Sequence, residues 1–558
     1  MYVGVDVGGT FTDAVLLSNG VIRATAKMPT KADLLESILE ALDVVLKDVN
    51  IRELKRIVFS TTVITNLIAG QKHDKVALLL IPGPGLSHKH YDFKAEVCVL
   101  SGAIDYRGRE IVPLNEKEIE EALSGLAAKG FKKVGVVGKF SPRNSAHEKR
   151  VAAIIKEKYP DWQAELGFRA GPQLNFPRRA VTTCLTCATR GPYRIFVNSV
   201  RQALAKREIT AEVFILKADG GTLPLGNSVE QPVETIFSGP AASTLGVQAL
   251  TPPDVTEVAV DIGGTTTDIA LILNGQPLLS AKGARVDEQL TQVRALAVKS
   301  VPVGGDSVLE LSGNEIVFRP ERLGPAYCMG GPAPTPTDAL RVLGLTALGD
   351  EDKAREAMED LGAPLGMSAG EAAGKVMSLV VNSITEEVKK MFLEWEQEPA
   401  YRIWELLQKK KVRPSIVAGV GGGADGFISQ IASELGCQPV IPPYAPVANA
   451  IGAAVARPTL QVSLRADTEQ GYYNIREEGF QGKIDRQSFN ERKALELARE
   501  RLLGKAAGYG LDVALDDIEV TYQEVFNMIR GWDTAGRLYD LTVQTPRGIA
   551  GRIEIGGK

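Results

Sequence analysis

Two stretches of the chain repeat one arrangement of aspartate, glycine and threonine. Val5–Gly20 reads VDVGGTFTDAVLLSNG, and Val260–Gly275 reads VDIGGTTTDIALILNG. A glycine turn leaves backbone N–H groups free to bind an anion, and threonine hydroxyls add further donors. A carboxylate at each edge of the turn can hold Mg²⁺ through water. The repeat therefore predicts two loops that bind phosphate and a divalent metal, with two unrelated tight hairpins as the alternative.

Both copies supply the same candidate residues. Loop amides and threonine hydroxyls would hold phosphate oxygens, and the carboxylates would hold the metal through water. The predicted catalytic carboxylates are Asp6, Asp13, Asp261 and Asp268, of which Asp6 and Asp261 are the predicted metal ligands. The predicted phosphate-binding residues are Gly8, Gly9, Thr10, Thr12, Gly263, Gly264, Thr265 and Thr267. For Asp13, an aspartate that merely caps a turn remains an open alternative.

A third glycine cluster follows a strand-like run. Ser415–Val420 is typical of a strand, and the residues up to Leu435 are typical of a helix whose N-terminus would point at a ligand. We assign the turn between them to the adenosine side of a nucleotide. The turn residues are Gly421, Gly422 and Gly423.

A fourth cluster lies in Val301–Val308, VPVGGDSV. It could place two glycines near the nucleotide and one carboxylate near the metal, and a plain turn is an equal alternative. The candidates are Gly304, Gly305 and Asp306.

Short strands must position the repeated loops. Val3–Val7 and Thr12–Leu17 are strand-like on either side of the first turn, and Asn19-Gly20 is a two-residue hairpin signal before a third strand. Glu257–Asp261 and Thr267–Leu273 repeat this order in the second copy. Each turn therefore joins two strands, unlike a Walker loop, which joins a strand to a helix.

Composition limits the class of protein. The 558 residues carry a net charge of −4, so there is no basic excess for binding nucleic acid or a membrane surface. No apolar run reaches the ~18 residues that span a bilayer, no signal peptide is evident, and five cysteines do not form a disulfide framework. We expect a reduced, cytoplasmic enzyme or ATPase.

Two hairpin loops and a glycine-rich loop before a helix resemble the superfamily of actin, Hsp70 and sugar-kinase ATPases. That resemblance implies an α/β fold in which two RNase-H-like domains close on ATP, with Mg²⁺ or another divalent metal. We expect four parts. They are a first RNase-H-like domain (1–165), a crossing helix region (166–207), a second RNase-H-like domain (208–457) with a helical insertion (337–412), and a small α+β domain (458–558).

Other stretches resemble the hydantoinase/oxoprolinase A-subunit family. They are STTVITNLIAG (Ser60–Gly70), KFSPRNSAHEKRV (Lys139–Val151), ADGGTLP (Ala218–Pro224), FSGPAAS (Phe237–Ser243) and LGPAYCMGGPAPTPTDALRVLG (Leu323–Gly344). The resemblance implies ATP-dependent activation of a cyclic amide, such as 5-oxoproline or a hydantoin, for ring-opening hydrolysis. Related carboxylase subunits phosphorylate a ketone enol instead. It also implies a B-type partner subunit in an oligomer.

The same resemblance suggests four substrate-facing residues. Thr61, Thr62 and Asn66 match a family motif, although a helix start would use the same residues. Asp338 belongs to the family's Pro-Thr-x-Thr-Asp-Ala signature, and the alternative is that it or Thr337 caps the next helix.

Two other functions fit an ATP site of this kind. An ATPase of the reactivase or chaperone type would remodel a partner protein and would not respond to lactams. A small-molecule kinase would phosphorylate a hydroxyl and would need a base for its proton. A carbonyl oxygen carries no proton, so the lack of an obvious base does not choose among them.

Overall fold

The computed structural model describes residues 1–85, 88–319, 321–397 and 412–554. In the first part of the chain the strands are β1 Tyr2–Val7, β2 Phe11–Ser18, β3 Val21–Pro29, β4 Arg56–Thr61, β5 Ala77–Ile81, β6 Glu96–Val99, β7 Ala103–Ile104, β8 Glu110–Val112, β9 Lys133–Gly138, β10 Gln163–Leu166, β11 Glu212–Leu216 and β12 Thr222–Pro224. The helices there are α1 Leu34–Val45, α2 Val63–Ala69, α3 Glu116–Ala128, α4 Ala146–Lys158, α5 Gly167–Ala170 and α6 Phe176–Lys206.

The first sheet has the strand order β12-β11-β4-β1-β2-β3. Strands β1, β2 and β3 are antiparallel neighbours, while β4 runs parallel to β1 and β11 runs parallel to β4. The β2–β3 turn uses Asn19 and Gly20, whose φ angles of 51° and 76° are those of the hairpin turn expected from the sequence. This sheet places the first repeated loop at the end of its central strand.

The second sheet repeats this arrangement. Its strands and their neighbours are β13 Glu257–Ile262, β14 Thr267–Leu273, β15 Gln276–Pro277, β16 Arg285–Val286, β17 Gln289–Leu290, β18 Val298–Val301, β19 Leu309–Ser312, β20 Glu315–Phe318, β21 Ile416–Val420 and β22 Gln438–Val440. The order is β15-β14-β13-β21-β22, with β18 also paired to β14. Again a hairpin is followed by parallel strands on the far side of the first strand. The two sheets confirm the expected pair of RNase-H-like domains.

The predicted boundary between residues 165 and 208 does not coincide with the edge of the first sheet. Strand β11 pairs with β4, so the first sheet takes strands from the segment assigned to the second domain. Residues 1–165 also contain a separate sheet of order β10-β9-β5-β6. The reason is burial, because Phe214, Ile215 and Leu216 of β11 are all at most 2% exposed and need neighbours on both faces.

One close packing of two helices connects the two sheets. The later helices are α7 Ser238–Leu250, α8 Pro336–Val342, α9 Glu351–Gly362, α10 Ala369–Gln397, α11 Ala424–Leu435 and α12 Ala448–Val455. Helices α7 and α12 cross very closely: a Cβ added at Gly246 would lie 2.1 Å from the Ala448 carbonyl oxygen, and one at Gly452 would lie 1.9 Å from that of Ala242. Only glycine permits this approach.

Helices α8, α9 and α10 lie in the segment predicted as a helical insertion, whose residues 398–411 are outside the described part of the chain. Residues 458–554 form a sheet of order β25-β24-β23-β27-β26 covered by a helix. These elements are β23 Gln461–Asp467, β24 Tyr472–Ile475, β25 Phe480–Lys483, α13 Glu491–Gly508, β26 Glu519–Arg530 and β27 Asp533–Gln544. None of the helices described in the structure is long and apolar enough to cross a membrane.

Candidate active site

The two repeated loops have the same backbone geometry. The Gly8 amide donates to the Phe11 carbonyl at 3.0 Å, and the Gly263 amide donates to the Thr266 carbonyl at 3.0 Å. In the strand register Asp6 lies opposite Asp13, as Asp261 lies opposite Asp268. Each loop is therefore a tight hairpin turn flanked by a facing pair of carboxylates.

A chain of polar groups joins the inner carboxylates of the two domains. On α12, Asn449 Nδ2 donates to Asp6 Oδ2 at 3.2 Å. On α7, Ser243 Oγ donates to Asp261 Oδ2 and lies 3.1 Å from Asn449 Oδ1. Burial raises the pKa of both carboxyls, and the negative charge of Asp261 raises that of Asp6 further. Neither Ser243 nor Asn449 was among the predicted site residues.

The outer carboxylates have different partners although their backbones are equivalent. Asp13 lies opposite Lys27 and forms an ion pair with it at 2.9 Å, whereas Asp268 lies opposite Ser300. Burial raises the pKa of Asp13 to about 6, and Lys27 opposes the rise. Burial and the nearby Asp261 raise the pKa of Asp268 to about 6, with only a hydrogen bond from Ser300 opposing.

The threonines divide into two pairs, which corrects the predicted set. Thr10 and Thr265 are exposed at the turns, as a phosphate ligand requires. Thr12 and Thr267 are fully buried, and their hydroxyls bond instead to the Thr30 hydroxyl and the Val303 carbonyl. The reason is the two-residue period of a strand, which turns each of these threonines away from the neighbouring aspartate and towards the core. In the structure they brace the loops, and their burial does not support the predicted contact with phosphate.

Thr266 is an exposed hydroxyl at the second turn that the sequence comparison missed. It occupies the position of Phe11 in the first copy, so a search for identical residues passes over it.

The glycine cluster after β21 lies against the second loop. Strand β21 pairs with β13 so that Val420 lies opposite Asp261, and the Gly423 amide donates to the Ile262 carbonyl at 3.1 Å. Gly421 has a φ of +84°, and a Cβ there would lie 2.4 Å from Asp261 Oδ1. Gly422 is exposed. The structure thus brings the cluster to the same sheet edge as Asp261; its adenosine role stays a prediction.

The VPVGGDSV segment lies behind the second loop, which corrects its predicted role. Gly304 and Gly305 are buried, and the Gly305 amide donates to the Gly263 carbonyl at 2.9 Å. Asp306 accepts a hydrogen bond from Arg322 at 2.8 Å, so the structure pairs this predicted metal ligand with a guanidinium group. This packing favours the alternative of a plain turn that supports the loop, with the Asp306 side chain still partly exposed beside it.

The four predicted substrate-facing residues fall into a buried pair and an accessible pair. Asp338 is fully buried and accepts from the Thr335 amide at 2.8 Å and the Cys328 amide at 2.7 Å, so it caps α8 and anchors the Cys328 segment. Thr61 is buried, and its amide donates to the Ser238 hydroxyl at 3.2 Å. The structure favours the helix-cap alternative for Asp338 and the helix-start alternative for Thr61, whose hydroxyl accepts from the Val63 amide, and their contact with substrate stays a prediction.

Thr62 and Asn66 remain accessible beside the first loop. Thr62 is half-buried and donates to the Val7 carbonyl at 3.3 Å, and the exposed Asn66 donates to the Thr62 hydroxyl at 3.2 Å. Their contact with substrate stays a prediction.

The donor set fits a nucleotide with a divalent cation. Across the described ranges, no three His, Cys, Asp or Glu side chains are grouped to chelate a metal directly. Contact of Asp6 and Asp261 with a cation through water stays a prediction. A cavity of about 10 Å³, the size of one water, lies against Ser243, Asp261 and Asp268. A larger cavity of about 670 Å³ lies elsewhere, against the C-terminal segment, and none of the predicted site residues lines it. Chemistry therefore favours the loops as the functional site over the larger cavity.

Comparison with known families agrees with the geometry. The sequence profile of the hydantoinase/oxoprolinase family matches residues 179–462, and that of the family's N-terminal region matches residues 2–159. The chain belongs to the hydantoinase/oxoprolinase family. The predicted resemblance is thereby confirmed, and the two matched segments contain both repeated loops and the glycine cluster.

This hydantoinase/oxoprolinase-family chain has relatives with named activities. It is 26% identical over 494 residues to the caprolactamase subunit alpha of Pseudomonas jessenii, with 79% of this chain and 68% of the relative covered. It is 26% identical over 450 residues to the acetophenone carboxylase gamma subunit of Aromatoleum aromaticum, with 70% and 60% covered. The crystal structure of the ATP-dependent caprolactamase from Pseudomonas jessenii matches with a TM-score of 0.74 at 22% identity, over 100% of this chain and 89% of that one. That structure has the same fold.

Proposed function

We propose that this chain uses ATP to phosphorylate the carbonyl oxygen of a cyclic amide and so activates the ring for hydrolysis. The observation that carries the proposal is the pair of phosphate loops joined across Asn449 and Ser243, which brings Asp6 and Asp261 together from two domains. The relationship to a caprolactamase subunit supports a lactam as the acceptor.

Bound ATP would supply the phosphoryl group, with a divalent metal neutralising its charge. The turns at Gly9-Thr10 and Gly264-Thr265 would hold phosphate oxygens from opposite sides, and Asp6 and Asp261 would hold the water shell of the cation. The lactam oxygen attacks phosphorus while the bond to ADP breaks, and no proton has to leave that oxygen. Water then adds to the activated carbon, and cleavage of the C–N bond opens the ring to an amine and an acyl phosphate. A second water hydrolyses the acyl phosphate to a carboxylate and inorganic phosphate.

Two features of this proposal come from relatives. An acetophenone carboxylase subunit is also related, so phosphorylation of a ketone enol is the second candidate reaction on the same scaffold. Both named relatives are subunits, which supports a B-type partner and an oligomeric assembly here as well.

The reactivase function is not favoured, because the relatives with named activities are enzymes for lactams and ketones. The cytoplasmic location stays a prediction.

The test measures ADP release with Mg²⁺ against a panel of lactams, hydantoins and ketones, with and without the B-type protein. We expect at least one lactam to raise turnover, and Asp261→Ala to abolish the increase. Substitution of the exposed Asp512 by alanine is the control and should leave turnover unchanged. Stimulation by ketones with bicarbonate, and not by lactams, would favour the carboxylase reaction. If no small molecule raises turnover in either setting, the proposal is wrong.

A further inference from the structure

Arg322 reaches from the second domain to the first phosphate loop. Its Nη2 donates to Asp306 Oδ2 at 2.8 Å, and its Nη1 lies 3.5 Å from Thr10 Oγ1. Asp306 is itself fixed beside the second loop, because its amide donates to the Gly264 carbonyl at 2.6 Å. The guanidinium group therefore spans the space between the two turns.

The position of Arg322 along the second loop identifies which phosphate it would meet. Gly421 and Gly423, on the expected adenosine side, contact the base of that loop at Asp261 and Ile262. Arg322 lies at the tip instead, where a Cβ added at Gly264 would be 3.8 Å from Nη2. A polyphosphate that runs from the base of the loop to its tip ends beside Arg322.

Arg322 is also available for an anion in a way that Lys27 is not. Lys27 donates to both carboxylate oxygens of Asp13 and to the Pro446 carbonyl. Arg322 has one carboxylate partner, is 36% exposed, and presents Nη1 to a hydroxyl at the distance limit of a hydrogen bond. Arginine suits this task because its planar fork can bind a carboxylate and a phosphate oxygen at once.

We propose that Arg322 binds the terminal phosphate of the nucleotide and joins the two loops around it, while Asp306 holds the guanidinium beside the second loop and competes with the phosphate for it. This inference rests on the proposed ATP site and names one of its side chains. In the structure the guanidinium contacts Thr10, and a terminal phosphate held by the Thr10 turn would take over that contact. Arg322 would then stabilise the charge that builds on the transferring group and would distinguish ATP from ADP.

The test compares the binding of AMPPNP and ADP, by isothermal titration calorimetry on the full chain with Mg²⁺. For Arg322→Ala we expect the affinity for AMPPNP to fall by about tenfold to a hundredfold, as for loss of a charge-assisted hydrogen bond, while the affinity for ADP changes by less than about threefold. Arg322→Lys should lie between the wild type and the alanine variant, because it keeps the charge and loses the fork.

Asp306→Asn separates phosphate binding from a merely structural ion pair. It removes a negative charge beside the phosphates and releases the guanidinium, so AMPPNP affinity should stay equal or increase. Arg319→Ala is the matched control, since Arg319 is an exposed arginine of the same segment that pairs loosely with Glu310 and Glu321, at 3.9 and 3.8 Å. It should change neither affinity.

The outcomes are distinct. Three results would show that Arg322 does not bind the terminal phosphate, although the ATP site stands. In the first, Arg322→Ala lowers the affinities for AMPPNP and ADP equally, and in the second it changes neither affinity, as expected for Arg319→Ala. In the third, Asp306→Asn lowers AMPPNP affinity as much as Arg322→Ala does. If the wild type binds neither nucleotide, the proposed ATP-dependent function is wrong and this inference falls with it.

Discussion

Gly421 provides the sharpest test of the loop arrangement. Its φ of +84° lies in the left-handed region, where a residue with a Cβ is destabilised by about 1–2 kcal/mol. A Cβ there would also lie 2.4 Å from Asp261 Oδ1 and 2.6 Å from the Ile262 carbonyl oxygen. Ordinary contact needs roughly 1 Å more. Substitution by alanine must therefore move Asp261, the second loop or the Gly421 turn.

We expect Gly421→Ala to have two effects of different size. The free energy of unfolding of the second domain should fall by about 1–3 kcal/mol, because backbone strain and overlap add. Turnover should fall more steeply, by about a hundredfold, since a displacement of about 1 Å in a charged catalytic group has that effect on rate. Thermal unfolding and ADP release measure the two effects separately.

Gly422→Ala is the control, one residue further along the same turn. A Cβ added at Gly422 meets no described atom within 4 Å, and its φ is outside the left-handed region. This variant should keep the melting temperature and leave Asp261 in place, so a loss of turnover in it would report contact of the turn with the nucleotide. If both alanine variants lose the same activity, the packing of the turn against Asp261 is not what the reaction depends on. If Gly421→Ala keeps full turnover at reduced stability, the placement of Asp261 in the site is refuted.

Three further substitutions test stability and linkage. Gly374→Ala in α10 should stabilise the protein by about 0.5–1 kcal/mol and raise its melting temperature, because the added Cβ meets open space in a helix. An unchanged or lower melting temperature would contradict this prediction. Gly452→Ala should lower both the melting temperature and the affinity for AMPPNP, because its Cβ would overlap the Ala242 carbonyl where α7 and α12 cross. A wild-type AMPPNP affinity measured by calorimetry would contradict this prediction. Burial raises the pKa of Glu165 from 4.5 to about 7, although the charge of Arg190 opposes the rise. The protonated Glu165 side chain therefore stabilises the fold fully below pH 4.5, and this stabilisation is lost as the pH rises to about 7. In urea unfolding, the free energy of unfolding of the wild type should fall by about 3 kcal/mol relative to Glu165→Gln over that pH range. If the two proteins show parallel plots of this free energy against pH, the pKa of Glu165 is not raised.

The paired hairpins could be predicted because their turn chemistry is local. Gly8 and Gly263 close the same turn in the structure as in the sequence comparison, and Asn274-Gly275 repeats the left-handed turn of the first copy, with φ angles of 49° and 74°. Such signals lie within a few residues of one another, so no tertiary information is needed to interpret them.

The errors arose where burial decides a side chain's role. Thr12 lies opposite Val7, which is fully buried, while Asp13 lies opposite Asp6 on the other face of the same pair of strands. Strand alternation alone could have separated Thr12 from the carboxylates. For Asp338 the local sequence offered the helix-cap alternative, but its further partners at Tyr327 and Cys328 come together only through the fold.

The residues that join the two domains could not be found from the repeat, because they lie outside it. Ser243 and Asn449 meet only where α7 crosses α12, and Arg322 reaches Thr10 across 312 positions of chain. These contacts are single, whereas the loops are duplicated. The candidate site is thus symmetric in its backbone and asymmetric in its side-chain contacts.

The partners of Asp13 and Asp268 carry the same asymmetry into charge. Strand pairing puts Lys27 opposite Asp13 and Ser300 opposite Asp268, so one duplicated position holds a cation and the other a hydroxyl. An ion-paired Asp13 has its charge already balanced at 2.9 Å, whereas Asp268 has only a hydroxyl to offset repulsion from Asp261. A divalent cation would relieve the second cluster far more than the first. If the proposed site binds a divalent cation, we therefore expect the metal to lie nearer Asp261 and Asp268, and the first loop mainly to hold phosphate.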